Sequence, residues 1–256
     1  MTRRLPQSVP LCALLLALAA CQTTPTPRGH AHNDYLHPRP LHDALDAGFQ
    51  SVEADVFLVG GELLVGHTRR ELRPERTLER LYLAPLRAHA AAGGMPVTLL
   101  VDIKSDGAAV YAHLRERLAA DHALLTSGAV TVILSGDRPW SLVAADPDRL
   151  VALDGRVRDL ATNPPRDLVP WISDAWSAHF RWRGEGPMPE AERARLREIV
   201  ATTHAQGRAL RFFGAPDRPE VWEVLVAEGV DWVGTDRLAD FAAWRDAAVT
   251  ARHVAR

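Results

Sequence analysis

Lysine is almost missing from this chain. Lys104 is the only one among 30 Lys and Arg residues, and arginine serves at every other basic position. The two side chains differ in shape, the ammonium being the compact point charge, so one position has escaped a chain-wide bias. Cysteine is scarce too: there are two, Cys12 and Cys21, too few and too close to the start for a disulfide framework. The core must hold by packing. A charge excess of one sign is also absent. With 32 acidic residues the formal net charge is −2, which excludes the basic face that nucleic-acid binding requires. No hydrophobic run is long enough to span a bilayer, since residues 11–20 fall well short of a transmembrane helix. Finally, no Gly-rich phosphate loop follows the first strand, as an open doubly wound sheet would show. Gly60-Gly61 reads as a turn and Gly93-Gly94 as a helix stop.

What is present is the composition of a globular protein, 47% hydrophobic and 24% charged, in the range that folds rather than stays disordered. Arg3 and Arg4 precede the short apolar run, and Leu18-Ala19-Ala20-Cys21 resembles a bacterial lipobox, in which the cysteine is lipidated. The organisation expected is a lipoprotein signal peptide at 1–20, a Pro/Thr-rich tether at 21–28, and one barrel domain at 29–256. This places the protein, exported and acylated on Cys21, in a bacterial cell envelope, on the periplasmic side or the cell surface, with the membrane as a partner.

Beyond the tether, short apolar runs alternate with helical patterns. Strands are expected at 28–32, 51–58, 97–104, 129–135, 150–153, 168–173, 209–214 and 230–235, with 62–65 extending the second as a hairpin. About eight strands with helices between them is the count of a closed (β/α)₈ barrel. Apolar residues at three-to-four spacing predict helices at 40–48, 77–92, 108–121, 189–206 and 218–228. Residues 156–167 are poor in pattern.

Barrel enzymes of this kind build their sites at the C-terminal ends of strands. The polar residues there are Gly29-His30-Ala31-His32-Asn33-Asp34, then Glu53 and Asp55, then Gly66-His67, Asp102 and Lys104, and Gly234-Thr235-Asp236. Glu53 and Asp55 lie two apart on an apolar strand, so both side chains share a face. Buried carboxylates repel and need a cation or protons. Asp102 comes from the next strand with apolar neighbours on both sides, and three such oxygens suit one Mg²⁺ or Ca²⁺. His30 and His67 each follow a glycine at a strand end, and two imidazoles can pass protons both ways near neutral pH. His30 and His32 share a face, which leaves a zinc reading open, but no cysteine or helical ligand pair accompanies them. Lys104 shares a face with Asp102, either to neutralise a bound phosphate or as an ion-pair partner of the acids. Residues 171–183, with three of the seven tryptophans, read equally as a lipid-contacting loop or as a packed lid.

Gly29-His30 with Asn33, then Ser51-Val52-Glu53-Ala54-Asp55-Val56, His67 and Asp102-Ile103-Lys104, resemble the barrel phosphodiesterases related to phosphatidylinositol-specific phospholipase C, glycerophosphodiester phosphodiesterases and sphingomyelinase D. The opening His-Ala-His-Asn-Asp-Tyr and the closing Gly229-Val230-Asp231-Trp232-Val233-Gly234-Thr235-Asp236 are most similar to the altered inheritance of mitochondria group. The resemblance implies a PLC-like TIM barrel in which His30 and His67 are the acid/base pair, Glu53, Asp55 and Asp102 bind one divalent cation, and Asn33 and Lys104 sit at the phosphate. The chain departs from the glycerophosphodiesterase pattern at Ala31, at Asp102 in place of glutamate, and in the short stretch 68–75.

The function implied is a metal-dependent phosphoric diester hydrolase acting on a small-molecule or lipid phosphodiester. A phosphomonoesterase of inositol or sugar phosphates, and a catalytically silent barrel that binds phosphorylated ligands, are the alternatives.

Overall fold

The computed structural model describes residues 26–254. The signal-peptide reading of 1–20, most of the tether and Cys21 lie outside them. The strands are β1 (Arg28–Ala31), β2 (Ser51–Val59), β3 (Glu62–Val65), β4 (Val97–Ile103), β5 (Val130–Gly136), β6 (Ala152–Gly155), β7 (Trp171–Ala175), β8 (Ala209–Phe213) and β9 (Trp232–Thr235). Eight of them pair in parallel in the order β1-β2-β4-β5-β6-β7-β8-β9, and β9 returns to β1 to close the barrel. β3 pairs antiparallel with β2 as the expected hairpin. Its turn needs Gly60 and Gly61, whose φ angles of 58° and 81° suit residues without a Cβ.

The helices are α1 (His42–Asp46), α2 (Ala84–Ala91), α3 (Gly107–Ala119), α4 (His122–Thr126), α5 (Trp140–Ala145), α6 (Trp176–His179), α7 (Glu190–Ala205), α8 (Pro219–Ala227) and α9 (Leu238–Val254). The helix expected over 77–92 starts as a π turn at Glu79–Leu83 before α2. The patternless stretch at 156–167 yields only a 3₁₀ turn, Val157–Ala161. α4, α5, α6 and the 17-residue α9 have no counterpart among the expected helices. α9 is held by Phe241, fully buried between Phe49 and Trp222 at ring separations of 5.6 and 5.2 Å.

Alternation along the strands sorts the barrel interior into levels. Nearer the strand starts, Leu100, Ile133, Ala152, Trp171 and Trp232 form a separate apolar cluster, with Trp171 stacked on Trp232 at 5.7 Å. Two residues further along the same strands, the inward positions turn polar: Asp102, Ser135, Asp154 and Ser173. The outward residues, such as Leu99, Val101, Val132 and Leu134, join the large core beneath the helices.

The tryptophan-rich stretch is a packed lid, and the lipid-contacting alternative is corrected. Trp176 and Phe180 are buried, their rings 4.3 Å apart, and the Trp176 indole donates to the Trp182 carbonyl at 2.9 Å. Trp171 lines the barrel interior. Among the described residues no helix is long and apolar enough to cross a membrane.

Candidate active site

β2 carries Glu53 and Asp55 inward, and its register with β4 sets Asp55 level with Asp102. Ligand oxygens of these three carboxylates all lie within 4.8 Å of one another, so the cluster could hold a metal ion. Asp55 shows how. Its Oδ2 accepts from the Tyr35 hydroxyl at 2.8 Å and faces His67 Nδ1 at 2.9 Å and Lys104 Nζ at 2.7 Å. Its Oδ1 is buried without a partner. One oxygen is saturated by donors and the other is left for a cation. The local charge agrees: three carboxylates meet two fixed cations in direct contact, Lys104 on Asp55 and Asp102, and Arg211 on Glu53. A divalent ion therefore fits the donor set.

Burial pushes the Asp102 carboxyl up, and the neighbouring Asp55 and Glu53 charges add to this against the pull of Lys104. Burial would also raise Glu53, but Arg211 at 2.9 Å and the His30 hydrogen bond outweigh it and hold that carboxyl well below its usual range. Lys104, 2.5 Å from Asp102, loses to burial but gains more from its two carboxylates, and its ammonium is raised. The ion-pair reading of the lone lysine is thus what the structure shows. Gly136, at the end of β5, keeps the cluster open. Its φ is 66°, and a Cβ there would run into the Asp102 carboxylate.

The two strand-end histidines differ in depth. His30 is fully buried, with Trp171 edge-on at 5.6 Å. Its Nδ1 is 2.8 Å from the Ser51 hydroxyl and its Nε2 3.0 Å from Glu53. A carboxylate can only accept, so the network assigns the proton to Nε2 and leaves Nδ1 to accept from Ser51. Burial, then the Arg211 charge, drives its pKa down to about 3. His30 lies beneath Glu53 with both nitrogens occupied, whereas the acid/base role expected of it calls for a nitrogen open to substrate.

His32, one step nearer the mouth, holds the accessible position. Its Nδ1 donates to Asp236 Oδ1 at 2.8 Å, and its Nε2 lies 3.9 Å from Glu53 Oε1. Burial alone would lower its pKa, yet the Asp236 hydrogen bond and the Glu53 charge raise it. His67 reaches over from the loop after β3 with its side chain more than half exposed. Asn33, at φ 49°, turns the chain after His32. Its amide NH₂ donates to Asp236 at 3.3 Å, and its oxygen lies 2.7 Å from the Tyr35 hydroxyl. Asn33 packs against His32, Asp236 and Tyr35 rather than reaching Glu53, Asp55 or Asp102.

Four contributors do not stand out from the sequence alone. Tyr35 and Asp236 lie within longer motifs, and His32 reads there only as a zinc ligand. Arg211 carries one signal, an arginine between Leu210 and Phe212 in an apolar strand. Asp34 has no catalytic place: buried, it accepts from the Leu41 amide at 2.6 Å and the Tyr82 hydroxyl at 2.9 Å and ties down the loop after β1.

The model of the AIM6-like phosphodiesterase domain matches residues 20–92, which contain β1–β3 and His30, His32, Glu53, Asp55 and His67. An altered inheritance of mitochondria protein 6 homolog of Arthroderma benhamiae is 29% identical, over 81% of this chain and 80% of its own. The Saccharomyces cerevisiae protein of that name is 27% identical, over 82% and 67%. Among solved structures, a glycerophosphodiester phosphodiesterase from Parabacteroides distasonis superposes with a TM-score of 0.57 at 13% identity, over 87% of this chain and 96% of that one. One from Agrobacterium tumefaciens does so at 0.56 and 14%, over 86% and 99%. At such identities the superpositions speak for the fold. The similarity to the altered inheritance of mitochondria group and to the fold of the PLC-like phosphodiesterases is borne out, and the domain matched over residues 20–92 is a phosphodiesterase domain. These comparisons also bring a correction. The curated relatives are fungal and yeast proteins, and eukaryotic relatives overturn the expected bacterial cell envelope location.

Proposed function

We propose that this protein is a metal-dependent phosphodiesterase whose acid/base residues are His32 and His67. The observation that carries the reading is the convergence of Glu53, Asp55 and Asp102 within 4.8 Å at the mouth of the barrel, between these two histidines. The three carboxylates would hold one divalent cation, Mg²⁺ or Ca²⁺, which when bound supplies Lewis-acid stabilisation of the charge on the phosphoryl oxygens.

The chain's own groups supply the rest. Lys104 neutralises Asp55 and Asp102 and brings an ammonium to the phosphate edge of the cluster. His67, held through Nδ1 by Asp55, presents Nε2 to take the proton of an attacking water or substrate hydroxyl. His32, held through Nδ1 by Asp236, presents Nε2 to return a proton to the leaving oxygen. In both residues the carboxylate fixes the tautomer and orientation of the imidazole, as in other His–Asp pairs. His30 and Arg211 position Glu53 from below. The test is a panel of phosphodiesters and phosphomonoesters assayed with Mg²⁺, with Ca²⁺ and in excess EDTA. Cation-dependent cleavage of a diester is expected, and full diesterase activity in EDTA, or turnover of monoesters alone, would overturn the reading.

A further inference from the structure

Across the mouth from the acids, on β5 and β6, the rim carries arginine. β5 and β6 pair in parallel through Leu134 and Leu153, and the Ser135 hydroxyl donates to Asp154 at 2.8 Å one step further on. Both strands then end in glycine, Gly136 and Gly155. Arg138 and Arg156 follow those glycines, so two guanidinium groups leave adjacent strands at the catalytic end.

Their donors are only partly used. Arg156 spends Nη1 on Asp154 at 2.8 Å and on the Gly155 and Ser173 carbonyls at 3.0 Å each. Its Nε and Nη2 have no hydrogen-bond partner among the described residues. Arg138 is less satisfied. Nη1 makes one long contact, 3.5 Å, to the Gly136 carbonyl, and Nε is buried with no partner. The Trp140 ring lies 5.7 Å from the guanidinium. Among the described residues no carboxylate lies within ion-pair distance of it. Asp137, its neighbour in sequence, is turned away to accept from the Gly107 amide at 3.0 Å. Burial, and next the Arg156 charge, depress Arg138, although a guanidinium stays protonated in any case. Arg156 is paired with Asp154 at 2.8 Å, but Arg138 keeps a buried donor unmet, a cost in free energy that a bound anion would offset.

We propose that Arg138 and Arg156 form an anion-binding subsite on the rim of the barrel, and that the substrate is a phosphodiester bearing a second anionic group, a carboxylate or phosphate. The guanidinium fork matches either oxyanion through paired donors. The subsite lies one and two strands beyond Asp102 and Lys104, which at the ordinary strand spacing is about 5–10 Å. That separation suits an anion on an ester group of the diester, a few bonds from the scissile phosphorus. The identity of the substrate rests on the phosphodiesterase reading; the existence of the subsite does not.

Two measurements separate them. In the first, inorganic sulfate is titrated calorimetrically into the full chain in EDTA. Wild type should bind, Arg138→Gln should weaken binding by about tenfold or more, equivalent to about 1.4 kcal/mol, and Arg138→Lys should fall between, having charge without the fork. Thermal melting confirms that each variant is folded. Equal sulfate affinity in wild type and Arg138→Gln, or no binding by wild type, overturns the subsite. In the second, p-nitrophenyl phenyl phosphate is compared with its para-carboxyphenyl analogue. Wild type should prefer the carboxylate in kcat/KM, and the preference should collapse in Arg138→Gln. Turnover of both by wild type without preference overturns the assignment of a substrate with a second anionic group. Failure to cleave either, while sulfate binding still depends on Arg138, sinks the diesterase reading and leaves the subsite standing.

Discussion

His32 Nδ1 lies 2.8 Å from Asp236 Oδ1, a bond that joins the end of the first barrel strand to the residue just past the last. It aims the free imidazole nitrogen at the acidic cluster. His32→Ala should therefore lower kcat by at least about 10²-fold, the usual scale for a general acid or base, with little change in melting temperature. Asp236→Asn should cost less, and the double variant should cost no more than His32→Ala alone, because the two act as a unit. His30→Ala should instead lower the melting temperature, since it strips Glu53 and Ser51 of a buried partner. Wild-type kcat in His32→Ala would return the role to His30.

Cation binding should follow Asp55. Asp55→Asn removes charge at the residue whose Oδ1 is buried and unpartnered, and calorimetric titration with Mg²⁺ and Ca²⁺ should show binding lost together with activity. Tight binding retained in the variant would mean that the three carboxylates are not the ligands.

Lys104 should have opposite effects on two readouts. Its ammonium sits 2.7 Å from Asp55 and 2.5 Å from Asp102 and repels an incoming cation. Lys104→Met should tighten divalent-cation binding while slowing turnover, because the transition-state charge loses a partner. Lys104→Arg should also slow turnover, the larger planar group being unable to act as a point charge between the acids. Unchanged kcat/KM in both variants would make the lysine a structural ion pair and nothing more.

Away from the site, acid stability should depend on Asp146. The Arg115 and Tyr111 hydrogen bonds, both 2.6 Å, bring its carboxyl down to about 2 from 3.8. A carboxyl depressed on folding stabilises the native state above its unfolded pKa and loses that contribution as pH falls through the folded value. Asp146→Asn should be less stable than wild type near neutral pH, and the gap should close as pH drops from about 3.8 towards about 2. A gap independent of pH would assign the effect to packing.

The buried lid should report on stability rather than on lipid. Trp176→Ala removes a side chain 1% exposed, and large-to-small changes of this kind cost about 3–5 kcal/mol. Urea denaturation should show a loss of that order. A loss below about 1 kcal/mol would mean that the lid can collapse around the gap.

Much of the barrel was legible because its signals are local. The runs around Val52, Leu100 and Ile133 are mostly apolar, as strands covered on both faces must be, and glycine or proline marks their limits. Glu53, Asp55 and Asp102 were legible for the same reason: a carboxylate inside such a run has few explanations other than a site. α9 is absent from the expected helices although its apolar spacing is no poorer than that of α3 or α7, and what holds it is Phe241 against Phe49 and Trp222, contacts distant in sequence.

The choice between His30 and His32 shows where local information stops. Strand alternation puts both on one face, about 6.6 Å apart along the strand, and nothing in the sequence says which level of the barrel each occupies. That depends on how the strands tilt and stagger around the closed sheet. Only the closed barrel sinks His30 onto Trp171 and lifts His32 to Asp236. It likewise points Arg211 inward to Glu53 and brings together the ends of β5 and β6, which Arg138 and Arg156 follow. The sequence by itself determined the strands and the placing of the carboxylates on them, because period and residue type are local properties. The tertiary structure alone decided depth and partnership, because these arise when strands separated by up to about 200 residues close on one another.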